Sequence, residues 1–335
     1  MIFFYFQRVL LMEHLETRHI DSNPLLQMIE KVQEKIQQVV VGQSGMVEFL
    51  LAGLLADGHI LIEGVPGVAK TLTAKLLAKL IHADFSRIQF TPDLMPSDVI
   101  GTNVFNPQSA SFQFKPGPVF ANLILIDEIN RAPAKTQAAL FEVMEEKQVT
   151  VDGQAHKMHP PFMVIATQNP IEHEGTYRLP EAQLDRFLMK ILVHYPAFED
   201  EVKILEMHNQ RAVADLLEEA DPIISAEMLT NAREQIRQIH VEPRLLHFIA
   251  KLTWETRNDR SIYFGASPRA SIALLQVSKA ISVLRGRDFV IPEDVIHVAP
   301  AVLRHRLSLT PEREMEGITP DDILKEIIQR LEVPR

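Results

Sequence analysis

Short apolar runs alternate with segments of helical periodicity between residues 60 and 196. Each run is four to six residues long and rich in branched apolar side chains, as is typical of buried strands. The predicted strands are Ile60–Glu63, Ser86–Phe90, Leu123–Asp127, Phe162–Thr167 and Leu188–Val193. Helices are predicted over 71–81 and 133–146. Apolar strands that alternate with helices indicate an α/β fold with a largely parallel sheet, covered by helices on both faces.

Beyond residue 200 the apolar positions recur only at helical spacing. Helices are predicted there over 199–217, 226–239, 243–257, 268–285 and 293–305. The chain therefore divides into an α/β domain, residues 23–197, and a smaller all-α domain, residues 198–335. Another helix over 24–40 opens the first domain. We expect residues 1–22 to form an extension that is disordered or packed at the periphery.

Two segments interrupt the alternation, at 102–119 and at 147–160. The second contains Asp152-Gly153 between β-prone runs, which is a strong hairpin signal, and the first contains the weaker Asn106-Pro107 turn. We predict a hairpin insert in each segment. The residues alone leave open whether the inserts decorate the surface or have a functional role.

Composition narrows the possible functions. With 46% hydrophobic and 23% charged residues, the 335-residue chain has ample material for a globular core. The net charge of −10 argues against a broad nucleic-acid-binding surface. Cysteine is absent from the sequence, which excludes disulfides, thiolate nucleophiles and Cys-ligated zinc. The apolar run over 1–6 is too short to cross a membrane and lacks the order of a signal peptide, so we expect a cytoplasmic protein without membrane insertion.

Other charged and histidine clusters have ordinary explanations. We expect the basic residues at 285–287 and 304–306 to be solvated helix ends. His156 and His159 lie near each other, but no acidic metal-ligand spacing accompanies them, so structural or surface roles are expected.

A glycine-rich turn follows the first predicted strand and leads directly into a helix. This layout, which ends in Lys70-Thr71, is typical of a phosphate-binding P-loop, in which backbone N–H groups and the helix N-terminus surround a polyphosphate. Ala69 replaces the second glycine of the motif, at a cost of roughly 1 kcal/mol if that position needs positive φ. An ordinary Gly-Pro turn is the alternative. The predicted nucleotide-binding residues are Gly64, Val65, Pro66, Gly67, Val68, Ala69, Lys70, Thr71 and Leu72.

Polar residues end two further predicted strands. Asp127 and Glu128 follow the run Leu123–Ile126, and Asn169 follows the next strand along the chain. Because the carboxyl ends of parallel strands meet at one edge of a sheet, these residues can converge on the P-loop. Asp127 and the Thr71 hydroxyl would then hold Mg²⁺, and Glu128 would orient or deprotonate the attacking water. Taken singly, each of these residues could instead be an ordinary polar residue at which a strand ends.

Five motifs in this order resemble the MoxR family of AAA+ ATPases. They are GVPGVAKT, LILIDEINRA, ATQNP, LPEAQLDRF and GASPRA, and the resemblance covers about residues 25–310. It implies ring assemblies, usually hexamers, with ATP bound between subunits. By the same resemblance Asn169 is a sensor-1 residue, Arg186 an arginine finger and Arg269 the sensor-2 arginine of a helical lid. Arg131 is implied near the subunit interface, and Val41 and Gly42 beside adenine.

The function implied is Mg²⁺-dependent ATP hydrolysis that drives a chaperone-like motor. Such proteins are thought to mature or activate other complexes, often with a partner that carries a von Willebrand factor A domain, and the client is an unknown protein. The inserts are expected to face the pore or a partner. Two alternatives stay open, a nucleic-acid translocase of the same ATPase branch and a nucleotide-gated scaffold that does not hydrolyse ATP.

Overall fold

Five parallel strands form the central sheet of the computed structural model, which describes residues 24–169, 177, 179–210 and 217–334. Numbered in chain order together with the hairpin strands described below, they are β1 (Ile60–Gly64), β2 (Phe85–Gln89), β5 (Leu123–Asp127), β8 (Met163–Gln168) and β9 (Met189–Val193). Their order across the sheet is β2-β5-β8-β1-β9. All five predicted strands and the α/β fold class are thus confirmed. The predicted extension, residues 1–22, lies outside the described part of the chain.

Alternate side chains of β1, β5 and β8 pack into two separate apolar clusters. Along β5, Leu123 and Leu125 belong to one cluster, and Ile124 and Ile126 belong to the other. A period of two places these pairs on opposite faces of the sheet, so both faces are covered. The helices of this region are α1 (Pro24–Gln37), α2 (Ser44–Leu55), α3 (Lys70–Leu80), α4 (Pro96–Ile100) and α5 (Ala134–Glu146).

Helix α2 has no counterpart among the predicted elements. Its sequence is apolar on nearly every side, and eight of its twelve residues are buried. A helix that is enclosed by protein lacks a polar face, so its sequence shows no helical periodicity of apolar and polar positions. The helix predicted over 24–40 is shorter than expected, because the chain turns after Gln37 before α2 begins.

Both predicted hairpins are confirmed, and they touch each other. Strand β3 (Gly101–Asn106) pairs with β4 (Ser111–Pro116), and β6 (Gln148–Val151) pairs with β7 (Gln154–Lys157), each antiparallel. The Phe114 ring stacks on His156 with 3.9 Å between centroids. The Asn103 amide donates a 2.5 Å hydrogen bond to Asp152. The two inserts therefore form one projecting unit.

The C-terminal part is a helical lid, as predicted. After the short α6 (Glu181–Leu184), its helices are α7 (Phe198–Gln210), α8 (Ala226–Arg237), α9 (Pro243–Thr256), α10 (Pro268–Leu284), α11 (Pro292–Leu303), α12 (Pro311–Met315) and α13 (Pro320–Arg330). The prediction missed the last two helices and a small antiparallel pair, β10 (Ile262–Phe264) with β11 (Ser308–Leu309). Core and lid share one apolar cluster, and the boundary at 197/198 stays a prediction.

The two basic clusters correct an expectation. Arg285 and Arg287 both pair with the fully buried Asp294, at 3.3 and 2.6 Å. Arg306 is only 4% exposed and pairs with Asp185 at 2.6 Å, and it also donates to the carbonyl oxygen of Phe187 at 2.7 Å. These arginines hold the lid together and fix it to the core, so they are not solvated helix ends. Sequence proximity could not reveal this, because the partners lie on other elements.

Within the described residues, every helix is too short or too polar to span a membrane.

Candidate functional site

The glycine-rich turn leaves the carboxyl end of β1 in the middle of the sheet. Gly64 has no room for a side chain, because a Cβ there would lie 2.5 Å from the carbonyl oxygen of Val193 on β9. Beyond it, Val68 is buried and anchors the loop, whereas Pro66 and Gly67 are exposed. The loop therefore keeps its backbone at the surface, where the N–H groups can reach an anion.

Ala69 has a left-handed backbone, with φ 60° and ψ 18°, immediately before α3 begins at Lys70. This is the position where the motif usually has glycine, and the conformation costs roughly 1–2 kcal/mol for a residue with a Cβ. The sequence-based concern about Ala69 was therefore justified, and the surrounding loop holds the residue in the strained region.

The Lys70 ammonium lies among the groups expected to handle phosphate and metal. Its Nζ donates a 2.8 Å hydrogen bond to the carbonyl oxygen of Gly64. Burial lowers the pKa of Lys70, while the negative charges of Asp127 and Glu128 oppose that shift. The lysine and the two carboxylates are thus brought together, as predicted from the strand ends. Thr71 follows in the first turn of α3.

Asp127 is the last residue of β5 and is held by two neighbouring strands. Arg87 on β2 donates from Nε to Oδ2 at 2.6 Å, and the Thr167 hydroxyl on β8 donates to Oδ1 at 3.2 Å. The carboxylate is largely buried, so these two donors fix its orientation.

Glu128 also has a left-handed backbone, with φ 56° and ψ 53°. Its amide N–H donates to the Thr167 hydroxyl at 3.1 Å. The side chain accepts a 2.8 Å hydrogen bond from the Gln89 amide and pairs with Arg131 at 3.1 Å, both on Oε2. A strained non-glycine residue at this place is a frequent mark of a functional site.

The remaining predicted residues of this edge lie at the ends of adjacent elements. Asn169 follows β8, the strand between β5 and β1. Gly42, at φ 76°, lies against the chain that leaves β9, since a Cβ there would meet Pro196 at 2.9 Å. Gln43 donates to the carbonyl oxygen of His194 at 3.1 Å. The Val41–Gly42 turn is therefore near the same edge as the P-loop.

This group of side chains fits a magnesium–nucleotide complex. Thr71 and Asp127 supply oxygen atoms, which Mg²⁺ prefers, and Lys70 supplies a compact positive charge for phosphate. The described residues hold no cluster of three or more His, Cys, Asp or Glu side chains that could bind a metal alone. Nucleotide phosphates would therefore complete the coordination of Mg²⁺.

Arg186 and Arg269 lie at the other edge of the sheet. The N–H of Leu188 donates to the carbonyl oxygen of His59 at 2.8 Å, which places the chain after Arg186 beside the amino end of β1. The P-loop leaves the carboxyl end of that strand, about 16 Å away at 3.3 Å per residue. The structure thus does not bring the two arginines to the P-loop of their own chain.

One carboxylate holds both arginines. Glu145, near the end of α5, accepts ion pairs from Arg186 and from Arg269, the latter at 3.1 Å. Arg186 also donates from Nη1 to the carbonyl oxygen of Phe141 at 2.8 Å. A cation is unfavourable beside a helix N-terminus, and Glu145 gives Arg269 an anionic partner at the start of α10.

Four functional candidates were missed by sequence reasoning: Arg87, Gln89, Thr167 and Glu145. The first two lie on β2, and applying the rule of converging strand ends to that strand would have found Gln89. Glu145 gives no local signal, because its partners are distant in sequence.

Comparison with known proteins agrees with this geometry. Residues 59–189 match the ATPase family associated with various cellular activities (AAA), and residues 255–327 match the AAA lid domain. The chain is 45% identical to the uncharacterized protein YeaC of Bacillus subtilis, over 94% of this chain and 96% of YeaC. It is 43% identical to Chaperone MoxR1 of Mycobacterium tuberculosis, over 92% of this chain and 82% of MoxR1.

A crystal structure of a candidate ATPase from Cytophaga hutchinsonii superposes with a TM-score of 0.86 at 42% identity, covering 93% of this chain and 96% of that one. Two proteins named MoxR, from Methylorubrum extorquens and Paracoccus denitrificans, are 29% and 30% identical. The chain belongs to the MoxR family of AAA+ ATPases.

Proposed function

We propose that the protein hydrolyses ATP with Mg²⁺ in a homo-oligomeric ring, a hexamer, whose nucleotide sites are each completed by the adjoining subunit. The placement of Arg186 and Arg269 carries this proposal. Both arginines lie at the sheet edge opposite the P-loop, so neither can reach a nucleotide bound by its own chain. A head-to-tail contact between copies would bring them to a neighbour's phosphates.

The residues at the P-loop edge have distinct roles in this reaction. Lys70 would exchange the Gly64 carbonyl for the β- and γ-phosphates, and backbone N–H groups of the loop would bind the same oxygens. Glu128 would orient the attacking water and accept its proton, while the Asn169 amide holds the water near the γ-phosphate. Bound Mg²⁺, held by Thr71 and Asp127, would neutralise phosphate charge. Val41 and Gly42 would border the adenine.

The trans arginines would stabilise charge that develops on the transferred phosphoryl group. A guanidinium is always protonated and can bond two phosphate oxygens at once. In related phosphoryl transfers an arginine supplied in trans increases the rate by about 10³–10⁵. Glu145 leaves the pair of arginines with a net positive charge, which suits a phosphate.

The proposed ring would act on a protein client in the cytoplasm. The name of Chaperone MoxR1 supports this role, and a partner with a von Willebrand factor A domain is supported by the family resemblance alone. The joined hairpins expose two phenylalanine side chains, Phe105 at 51% and Phe112 at 70%. Exposed aromatic rings are suited to contacts with proteins.

The two alternatives receive less support. A nucleic-acid translocase would be expected to carry basic side chains on its projecting hairpins, and the tip of β3–β4 carries Phe105 and Phe112 instead. A scaffold without hydrolysis would not require the strained, doubly held Glu128.

Mixing two inactive variants tests the shared site. Glu128→Gln removes the base, and Arg186→Ala removes the finger, so each variant alone should turn over ATP at a few per cent of the wild-type rate or less. In randomly mixed rings, half of the sites keep Glu128 and half of the neighbours keep Arg186. Steady-state turnover should therefore recover to about one quarter of the wild-type rate per subunit.

The same preparations, cross-linked before mixing, are the control because subunits cannot exchange. Native mass spectrometry would verify that mixed rings form. Mixed rings that stay inactive, or Arg186→Ala rings that retain full activity alone, would contradict the shared site. ATP binding by the Glu128→Gln variant should match that of the wild type.

A further inference from the structure

A cavity of about 380 Å³ lies between the core and the lid, behind Arg186 and Arg269. Seven basic side chains line it, against two acidic ones. Glu145 adds a third carboxylate at the rim through its two ion pairs. In a protein of net charge −10, a cluster with this excess of basic over acidic side chains favours the binding of an anion.

The cavity extends well beyond the reach of a neighbour's phosphate. Lys279 lies ten residues after Arg269 on α10, and a helix rises 1.5 Å per residue, so the two Cα atoms are about 15 Å apart. The two side chains also have different partners, since Glu145 holds Arg269 and the carbonyl oxygen of Arg237 accepts from Lys279. The proposed ATPase leaves this far end of the cavity unexplained.

Positive charge at the far end is only partly neutralised. Asp57 pairs with Lys147 at 2.8 Å and with Arg233 at 2.7 Å, so one carboxylate serves two cations. Lys279 donates to the carbonyl oxygen of Arg237 at 2.7 Å, and no ion pair to a described carboxylate is found for either residue.

Burial and neighbouring positive charge both disfavour the protonated form of these side chains. Burial lowers the pKa of Lys279. Burial also lowers the pKa of Arg233; the negative charge of Asp57 opposes that shift, and the positive charge of Arg237 adds to it. A bound anion would relieve both effects.

Apolar side chains also line the cavity. Leu55 and Ile236 are buried beneath it, and Ile272 contributes an exposed side chain near the rim. Cations together with aliphatic groups suit an organic phosphate, and the volume matches a small ligand of nucleotide size.

We propose that the far end of this cavity is a second anion site, which binds a phosphorylated small molecule through Lys279, Arg237 and Arg233. The site is separate from the P-loop, which lies at the opposite edge of the sheet. Its occupant would lie directly behind the two trans arginines.

Binding can be measured in a Lys70→Ala background, which removes the P-loop lysine. Tripolyphosphate and ADP are titrated by calorimetry, the first as the phosphate group alone and the second to reveal any contribution of the apolar side chains. We expect saturable binding of one equivalent. Lys279→Gln with Arg237→Gln should weaken binding at least tenfold, since glutamine keeps hydrogen-bond donors but removes the charge.

Lys251→Gln with Arg244→Gln, an exposed pair on α9, is the matched control and should leave the affinity unchanged. Absence of binding, or equal weakening by both pairs, would overturn the proposal, since equal weakening indicates non-specific attraction. Binding that requires Arg186 and Arg269 but not Lys279 and Arg237 would also overturn it, because the anion would then sit at the trans arginines. If the wild-type chain failed to hydrolyse ATP, the proposed function would be contradicted, but the outcome of this binding measurement would not change.

Discussion

Arg87 places a positive charge directly on the carboxylate expected to hold the metal. Its Nε lies 2.6 Å from Asp127 Oδ2, and its side chain is half exposed. This contact can act in two ways, since it orients the carboxylate and also repels a second cation. We expect the repulsion to outweigh the loss of one orienting donor, because Thr167 still holds Asp127 through the other oxygen.

Arg87→Gln should therefore tighten Mg²⁺ binding to the ADP complex. A unit charge a few ångströms from a divalent ion costs on the order of 1 kcal/mol even in water, so we expect an affinity gain of about tenfold. Competition with Mn²⁺, followed by electron paramagnetic resonance, measures this without turnover.

Lys75→Gln, an exposed charge on α3, is the control and should change little. Weaker metal binding in Arg87→Gln would mean that Arg87 chiefly positions Asp127.

The sequence located the residues proposed to act at strand ends and missed those whose contacts join different elements. Lys70 was found from the glycine-rich turn. Asp127, Glu128 and Asn169 were found because each follows an apolar run, and parallel strands end at one edge. Glu145 looks like any charged residue of an amphipathic helix. Its role depends on how the lid docks, and no local pattern encodes that.

At the level of elements, Glu145 connects helix α5 of the core to helix α10 of the lid. It accepts one arginine from the chain before β9 and one from the first turn of α10. The two guanidinium groups would repel each other without it. We infer that Glu145 is a positioning residue for the two arginines that are proposed to act in trans.

Glu145→Gln should lower kcat for ATP about tenfold and leave KM nearly unchanged. The arginines would act on the transition state of a neighbour's reaction, while Lys70 and the P-loop bind the ground state. Steady-state kinetics over a range of ATP concentrations separate the two parameters. Glu145→Asp, which keeps the charge, should restore part of the rate.

Glu142→Gln removes an exposed carboxylate one turn away on α5 and should behave as the wild type. A raised KM with normal kcat in Glu145→Gln would place Glu145 in nucleotide binding instead.

The hairpins and the lid show where element prediction succeeded and failed. Asp152-Gly153 is a local turn signal, and it located β6–β7 correctly. The pair β10–β11 joins residues more than forty positions apart and has only two or three residues per strand. Strands this short leave no periodicity to detect.

At the scale of the whole molecule, buried histidines couple the fold to pH. His59 lies just before β1, where Nδ1 accepts from the N–H of Val164 at 2.9 Å and Nε2 donates to the carbonyl oxygen of Met144 at 3.1 Å. These bonds require the neutral ring. Burial lowers the pKa of His59 to about 4. Burial also lowers the pKa of His305, which contacts the carbonyl oxygen of Phe187.

The free energy of unfolding should fall as the pH decreases from 6.5 towards 4. The unfolded chain binds a proton near pH 6.5, whereas folded His59 does not until about pH 4, so the stabilisation is complete above 6.5 and lost through this window. The loss from His59 is on the order of 3 kcal/mol in total. Urea unfolding between pH 4.5 and 7.5 measures it.

His59→Gln should be less stable at pH 7.5 but should show a shallower slope, by up to about 1.4 kcal/mol per pH unit. His305 keeps part of the slope in that variant. Equal slopes in both proteins would show that His59 titrates normally in the fold.

The placement of the arginines has an arithmetical consequence for assembly. In the proposed head-to-tail assembly, an open row of subunits would have one terminal pocket that receives no guanidinium and, at the far terminus, one pair of guanidinium groups that faces only water. Circular closure removes both defects together. Specific activity should therefore climb with the length of the row and reach its plateau only when the first and last copies meet.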